Sequence, residues 1–170
     1  ILLSSMDSPT RITSYQDKFA SDFARLNREW LDAHDLYEEE DGVHLYTPNE
    51  SILSSGGMIF VALQGERVVG TCALVKMSQF EFELIKLAVD PKVRGQGLGR
   101  RLTEHAIRQA QRLGATKVSL LSSTKLTAAV KLYQSMGFVE KSLPESQPYL
   151  TADLYMELDL ATPYLAKPVV

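Results

Sequence analysis

The sequence predicts an α/β (α+β) chain, with a mixed, mostly antiparallel central sheet of six to seven strands flanked by about four helices. Three patterns carry that expectation. Between Met58 and Val89, three runs rich in apolar and β-branched residues are separated only by short turns, which reads as an antiparallel meander. Beyond Val89 the apolar period lengthens from two to between three and four, and helical and strand patterns alternate. An amphipathic helical stretch precedes the meander. One sheet covered by helices on both faces accommodates all three.

The elements follow in order. Residues 1–9 and 161–170 are expected as loose termini around a single domain spanning 1–170, with its core at about 11–160. Arg11 to Tyr15 suits a first strand. From Gln16 to His34, Phe19, Phe23, Leu26, Trp30 and Leu31 recur at helical spacing. The acidic run Glu38 to Asp41 has no apolar stripe beside it and is expected as a solvated helix end or loop. Pro48-Asn49-Glu50 opens a short helix that stops at Gly56-Gly57. Met58 to Leu63 and Val68 to Lys76 form a hairpin around Gly65-Glu66, and Phe80 to Val89 is the third strand of the meander. Leu98, Leu102, Ala106, Ala110 and Leu113 draw one helix face, ended by Gly114. Val118 to Leu121 reads as an interior strand and Thr127 to Met136 as a small helix. Strands begin at Gly137-Phe138-Val139 and run from Ala152 to Leu160, with Pro144 and Pro148 marking the loop between them.

Composition excludes several classes. The formal charge of -3, from 18 basic and 21 acidic side chains, offers no concentrated basic footprint, so no nucleic-acid partner is expected. Cys72 is the single cysteine, so neither an internal disulfide nor a thiolate metal cluster can be built, in keeping with a cytoplasmic setting. His34, His44 and His105 are scattered without ligand spacing, with His105 expected at the surface of the helix after the glycine turn, and no metal is expected. The opening ILLSSM is too short for a signal-peptide core. No apolar run reaches the ~18 residues of a membrane span, so no membrane association is expected.

The segment Arg94-Gly95-Gln96-Gly97-Leu98-Gly99-Arg100 lies between a strong strand and a strong helix. Helix starts leave backbone amides unpaired, and glycines let the turn before them approach a ligand closely. Such a place favours phosphate or diphosphate, with Arg94, Arg100 and Arg101 near enough to add charge. Spacing rules out a Walker A loop, which needs a terminal G-K-[ST], and a dinucleotide G-x-G-x-x-G. On local physics alone the glycines equally suit a packing turn.

Arg94-x-x-Gly97-x-Gly99 resembles the [RQ]-x-x-G-x-[GA] signature of the GNAT N-acetyltransferase superfamily. It follows Leu87-Ala88-Val89-Asp90-Pro91 and opens the helix of Leu98 and Leu102. Downstream, Ala129-Val130-Lys131-Leu132-Tyr133-Gln134-Ser135-Met136-Gly137-Phe138 is similar to that family's A-x-x-L-Y-x-x-x-G-F segment. The resemblance covers roughly Arg11 to Leu160 and implies the acyl-CoA N-acyltransferase fold. The implied activity is transfer of an acetyl group from acetyl-CoA to a primary amine of a small molecule or peptide. A non-catalytic acyl-CoA sensor of the same fold is the alternative.

The resemblance also implies roles. The diphosphate of acetyl-CoA would lie on amides of Arg94, Gly95, Gln96, Gly97, Leu98 and Gly99, with Arg100 beside them. The pantetheine arm would run along Leu87, Ala88 and Val89, where that strand splays from Lys117 to Leu121. Tyr133 would give the leaving thiolate its proton, or only contact the cofactor, and an amide near Ala88 or Val89 would polarise the thioester. Glu83 is the base candidate, on the face assigned by period two to Ile85, Leu87 and Val89; Glu81 shares that parity and competes. Trp30, His34, Glu81 and Glu83 are candidate acceptor contacts, with Glu38 to Asp41 attracting a cationic amine. A homodimer is a further expectation.

Overall fold

A computed structural model describes residues 8–160. The termini expected to be loose fall outside that range, apart from Ser8 and Pro9. Seven strands form one sheet: β1 (Thr10–Ser14), β2 (Met58–Gln64), β3 (Arg67–Lys76), β4 (Glu81–Val89), β5 (Lys117–Ser122), β6 (Val139–Lys141) and β7 (Leu154–Asp159). Four helices accompany them: α1 (Ala20–Ala33), α2 (Glu39–Tyr46), α3 (Leu98–Arg112) and α4 (Thr127–Ser135). The strand order is β1-β2-β3-β4-β5-β7-β6. Only β4 and β5 run parallel. The mixed, mostly antiparallel sheet with helices on both faces is therefore the architecture present.

The period-two alternation of β2 and β3 sorts side chains to two layers. Phe60, Ala62, Cys72 and Leu74 face α3 and α4, where Leu98, Leu102, Ala106 and Ile107 bury the apolar face of α3. Ile59 and Ala73 point the other way, to Phe23 of α1, Leu45 of α2 and Ile52 of the helical turn Asn49–Leu53. Gly70 on β3 is required by that packing. A Cβ there would stand 2.9 Å from the Leu102 Cδ1 and 3.3 Å from the Leu98 Cδ2.

Three local expectations are corrected. The acidic run is a helix end, as one of the two expectations had it, but it is not solvated throughout: α2 begins at Glu39, and Glu38 and Asp41 form a reciprocal capping box at its start, with Asp41 buried. Asp41 and Leu45 are both buried one turn apart, so a carboxylate occupies the place where an apolar stripe was sought. His105, expected at the surface, is half-buried with its ring edge-on to Phe60 at 4.7 Å between centroids. Burial and the neighbouring Arg108 and Arg112 push its pKa down.

The third correction concerns β4. Thr71 pairs with Ala88 but Ala73 pairs with Ile85, so Lys86 and Leu87 together oppose Cys72. This is a β-bulge, and Lys86 takes a left-handed φ of 55° within it. Period-two counting therefore fails across residue 86. Ile85 packs with the α1 layer, whereas Leu87 and Val89 pack with the α3 layer, so Glu83 does not share their face.

Candidate active site

The parallel pairing of β4 and β5 is brief. Glu81, Phe82 and Glu83 pair with Lys117, Val118 and Ser119, and there the ladder ends. From that point β5 continues beside β7 as far as Ser122, while β4 runs on beside β3 to Val89. The two strands splay apart, and backbone groups on the facing edges lose their partners. Asp90 donates its amide to the Val69 carbonyl at 2.9 Å. Antiparallel alternation then turns the polar groups of Val89 to the β5 side. The Val89 carbonyl indeed accepts from Arg94 Nε at 3.4 Å.

The glycine turn closes one end of this gap. Asp90 caps the turn Pro91–Val93, its Oδ1 accepting from the Lys92 amide at 2.9 Å and its other oxygen pairing with Arg67. Gly95 and Gly97 take φ of 80° and 75°, which L side chains rarely adopt. A Cβ on either would meet nothing within 4 Å, because both edge an open space. Gly97 is the residue that caps α3, and Arg101 is the first amide to bond back, to the Gly97 carbonyl at 3.1 Å. The amides of Leu98, Gly99 and Arg100 have no acceptor among the described residues. Three free donors at a positive helix end beside a cradle without side chains fit a diphosphate.

Behind the turn lies a cavity of about 430 Å³. At the α3 end its lining includes Arg94, Gly95, Gly97, Leu98, Gly99 and Arg100, with Leu87 and Val89 along β4 and Tyr133 from α4. Ala88 is buried against β3, and Gln96 is exposed; neither lines the cavity. Arg100 is held by Glu104 at 3.1 Å and by the Ser135 hydroxyl at 2.9 Å. Arg101 instead reaches the Thr10 carbonyl at 3.0 Å.

Tyr133 is buried, edge-on to Phe138 at 5.7 Å between centroids, and its pKa is pushed up by burial and by Cys72. It is fully protonated at neutral pH and so stands as a proton donor. Cys72 is itself buried and its thiol pushed up by that burial. A buried neutral thiol is a packing group rather than a nucleophile.

The other end of the cavity lies under α1, α2 and the loop between β6 and β7. Here Glu83 and Trp30 line the wall with Asn27, Asp41, Lys86 and Tyr149. Burial raises the Glu83 pKa against the opposing charge of Lys86, moving the carboxylate toward the range useful to a base. Lys86 and Asp41 form an ion pair with side chains only 7% and 6% exposed. Burial pulls the Lys86 pKa down while Asp41 and Glu83 oppose it. The same Asp41 carboxylate accepts the Glu38 amide at 2.9 Å. Glu38 in turn clasps the loop through the amides of Leu150 (2.8 Å) and Thr151 (3.0 Å) and the Thr151 hydroxyl (2.6 Å).

Glu81 and His34 stand apart. Glu81 pairs with Lys117 at 3.1 Å across the β4–β5 ladder, and Lys117 also binds Glu157. His34 is exposed, its Nδ1 2.8 Å from the Trp30 carbonyl. Neither lines the cavity. Sequence reasoning missed Asn27, Lys86 and Tyr149, and it placed Asp41 near the acceptor without its buried partner. Lys86 had a readable signal as the one charge inside the apolar run Leu84 to Val89, and Asn27 sits one turn after Phe23 on the buried face of α1. Tyr149 had none, since its place depends on how Glu38 holds its loop.

The acetyltransferase (GNAT) family model matches residues 18–138. Over 135 residues the chain is 31% identical to the ribosomal protein bS18-alanine N-acetyltransferase of Escherichia coli strain K12, covering 74% of this chain and 86% of that protein. An acetyltransferase of the GNAT family from Staphylococcus aureus Mu50 superposes with a TM-score of 0.81 at 21% identity, over 89% of this chain and 99% of that one. The structure of yncA from Salmonella typhimurium with its cofactor acetyl-CoA gives a TM-score of 0.69 at 20% identity over 95% and 100% of the two chains.

Proposed function

This chain belongs to the acetyltransferase (GNAT) family, and we propose that it passes the acetyl group of acetyl-CoA to a primary amine by direct attack in a ternary complex. The donor is acetyl-CoA and the activity is N-acetyltransfer. The observation that carries the reading is the meeting of two unpaired backbone surfaces. The β4 edge freed beyond Glu83 runs into the free amides of Leu98, Gly99 and Arg100. A thioester arm on the first and a diphosphate on the second would satisfy both.

In the proposed step the amine lone pair forms the C–N bond as the C–S bond breaks. The charge gathering on the thioester oxygen is met by a backbone amide on the free edge of β4, for which Val89 is oriented and Ala88, paired to β3, is not. The sulfur leaves with the bonding pair and takes the Tyr133 hydroxyl proton. The proton lost by the amine passes to Glu83 through water, and Tyr133 recovers its own from solvent. Leu87 and Val89 shape the arm's path while Trp30 and Tyr149 wall the acceptor.

The acceptor class we favour is the N-terminal α-amine of a peptide. The bS18-alanine relative acts on such an amine, and exposed Glu39 and Glu40 beside half-buried Glu38 would draw a cationic terminus toward the mouth. A cytoplasmic setting suits the unpaired thiol of Cys72. The test is thiol release from acetyl-CoA with four amines: an alanine-initiated peptide, an N-blocked lysine peptide, spermidine and free alanine. Preferred turnover of the alanine-initiated peptide is expected. Turnover of spermidine alone would move the acceptor class, and acetyl-CoA binding without turnover of any would refute catalysis.

A further inference from the structure

We infer that Asn27 binds and orients the acceptor amine through its side-chain oxygen, an inference that rests on the reaction proposed above. Asn27 lies one turn after Phe23 on the buried face of α1 and is 2% exposed. Its Nδ2 donates to the Phe23 carbonyl at 2.9 Å and to the Thr71 hydroxyl oxygen at 2.8 Å, which uses both amide hydrogens. Thr71 passes its own hydrogen to the Lys86 carbonyl at 2.9 Å, inside the bulge. That chain of donors fixes which end of the Asn27 amide is nitrogen, so the oxygen must be the other end.

The oxygen accepts no hydrogen bond from any described residue, yet no buried side-chain oxygen or nitrogen among them is left sealed without a partner. The oxygen therefore keeps a small accessible area, and the cavity is a space that Asn27 lines. An acceptor with two lone pairs, held rigid by two donated bonds and facing a cavity, calls for an N–H. Asn27 reaches the bulge from the α1 side of the sheet, the side of Glu83 and Ile85, opposite the α3 layer that carries Leu87 and Val89. The amine is the N–H group that enters from that side. Accepting one amine hydrogen there aims the remaining lone pair at the thioester carbon, and Asn27 itself gains and loses no proton.

Three variants separate binding from scaffolding. Asn27→Leu removes the oxygen and both donated bonds. Asn27→Ala does the same with a smaller side chain, and Thr71→Val breaks the scaffold while leaving the Asn27 oxygen in place. Each is compared with wild type on the alanine-initiated peptide, or on spermidine should that be the faster, with acetyl-CoA affinity measured by calorimetry.

Asn27→Leu is expected to lower kcat/KM for the amine about ten- to hundredfold, with acetyl-CoA affinity unchanged. Thr71→Val is expected to unfold at lower urea but to keep the amine kcat/KM within about threefold. If Asn27→Leu does not fold, Asn27→Ala decides alone: an amine kcat/KM within about threefold of wild type overturns the inference. Equal losses in all three variants, or a loss confined to acetyl-CoA affinity, would reassign Asn27 to scaffolding or to the pantetheine arm. Wild-type turnover with an unimpaired Asn27→Leu overturns this inference only, whereas no wild-type turnover of any of the four amines overturns the underlying reading with it.

Discussion

Asp41→Asn tests the buried ion pair that ties the β4 bulge to α2. The substitution keeps an oxygen for the Glu38 amide, so the helix cap survives, but it strands the Lys86 ammonium in a place only 7% exposed. Removing one partner of a buried pair costs about 3–5 kcal/mol, against a total stability of about 5–15 kcal/mol for a domain of this kind. Lys86→Met leaves the opposite orphan, the Asp41 carboxylate, and is expected to cost a similar amount. In Lys86→Met/Asp41→Asn neither charge remains, so the double variant should lose at least about 2 kcal/mol less than the two singles combined. Urea unfolding of the four proteins measures the cycle, and its coupling should be nearly insensitive to salt because the pair is shielded from water. Additive losses, or single variants within about 1 kcal/mol of wild type, would refute the claim that this pair is a desolvated, interdependent unit.

Other expectations follow from the same geometry. Gly97→Ala forces a side chain into φ 75° and should cost about 1–2 kcal/mol in unfolding experiments while weakening acetyl-CoA in calorimetry. Gly99→Ala should fold normally, since its Cβ would meet Leu132 and Val89 at ordinary contact distances of 3.7 and 3.9 Å. Glu83 has a folded pKa above its unfolded value of 4.5, so between those limits the folded protein holds more protons and stability falls as pH rises. Glu83→Gln should abolish that slope in pH-dependent unfolding and flatten the acidic limb of kcat/KM; an unchanged limb would remove Glu83 as the base. Tyr133→Phe should lower kcat about 100-fold or more with acetyl-CoA affinity intact, and parallel loss of both would make Tyr133 a binding group only.

Much of this was legible in the chain itself. The meander, the glycine turn and the Tyr133 helix announce themselves through period and turn chemistry, and they carry the α3 end of the cavity. The acceptor end was harder for a physical reason. Its floor is a bulge at Lys86, where one extra residue reverses the facing of everything after it; the lone charge in an apolar run marks the position but not the change of register. Its wall is α2, whose buried stripe includes a carboxylate that only its long-range partner makes intelligible. Glu81 illustrates the converse: equal parity with Glu83 made it a rival, yet it sits where β4 and β5 are still paired and its charge is met by Lys117.

The central claim is most directly tested by titrating the protein, in one calorimeter, with acetyl-CoA and with S-acetylpantetheine, which carries the thioester arm but no diphosphate. Three main-chain donors and the arginines beside them each add a charge-assisted contact, so acetyl-CoA should bind at least about 100-fold more tightly. Equal affinity for the two, or no heat with acetyl-CoA from a folded sample, would contradict the account.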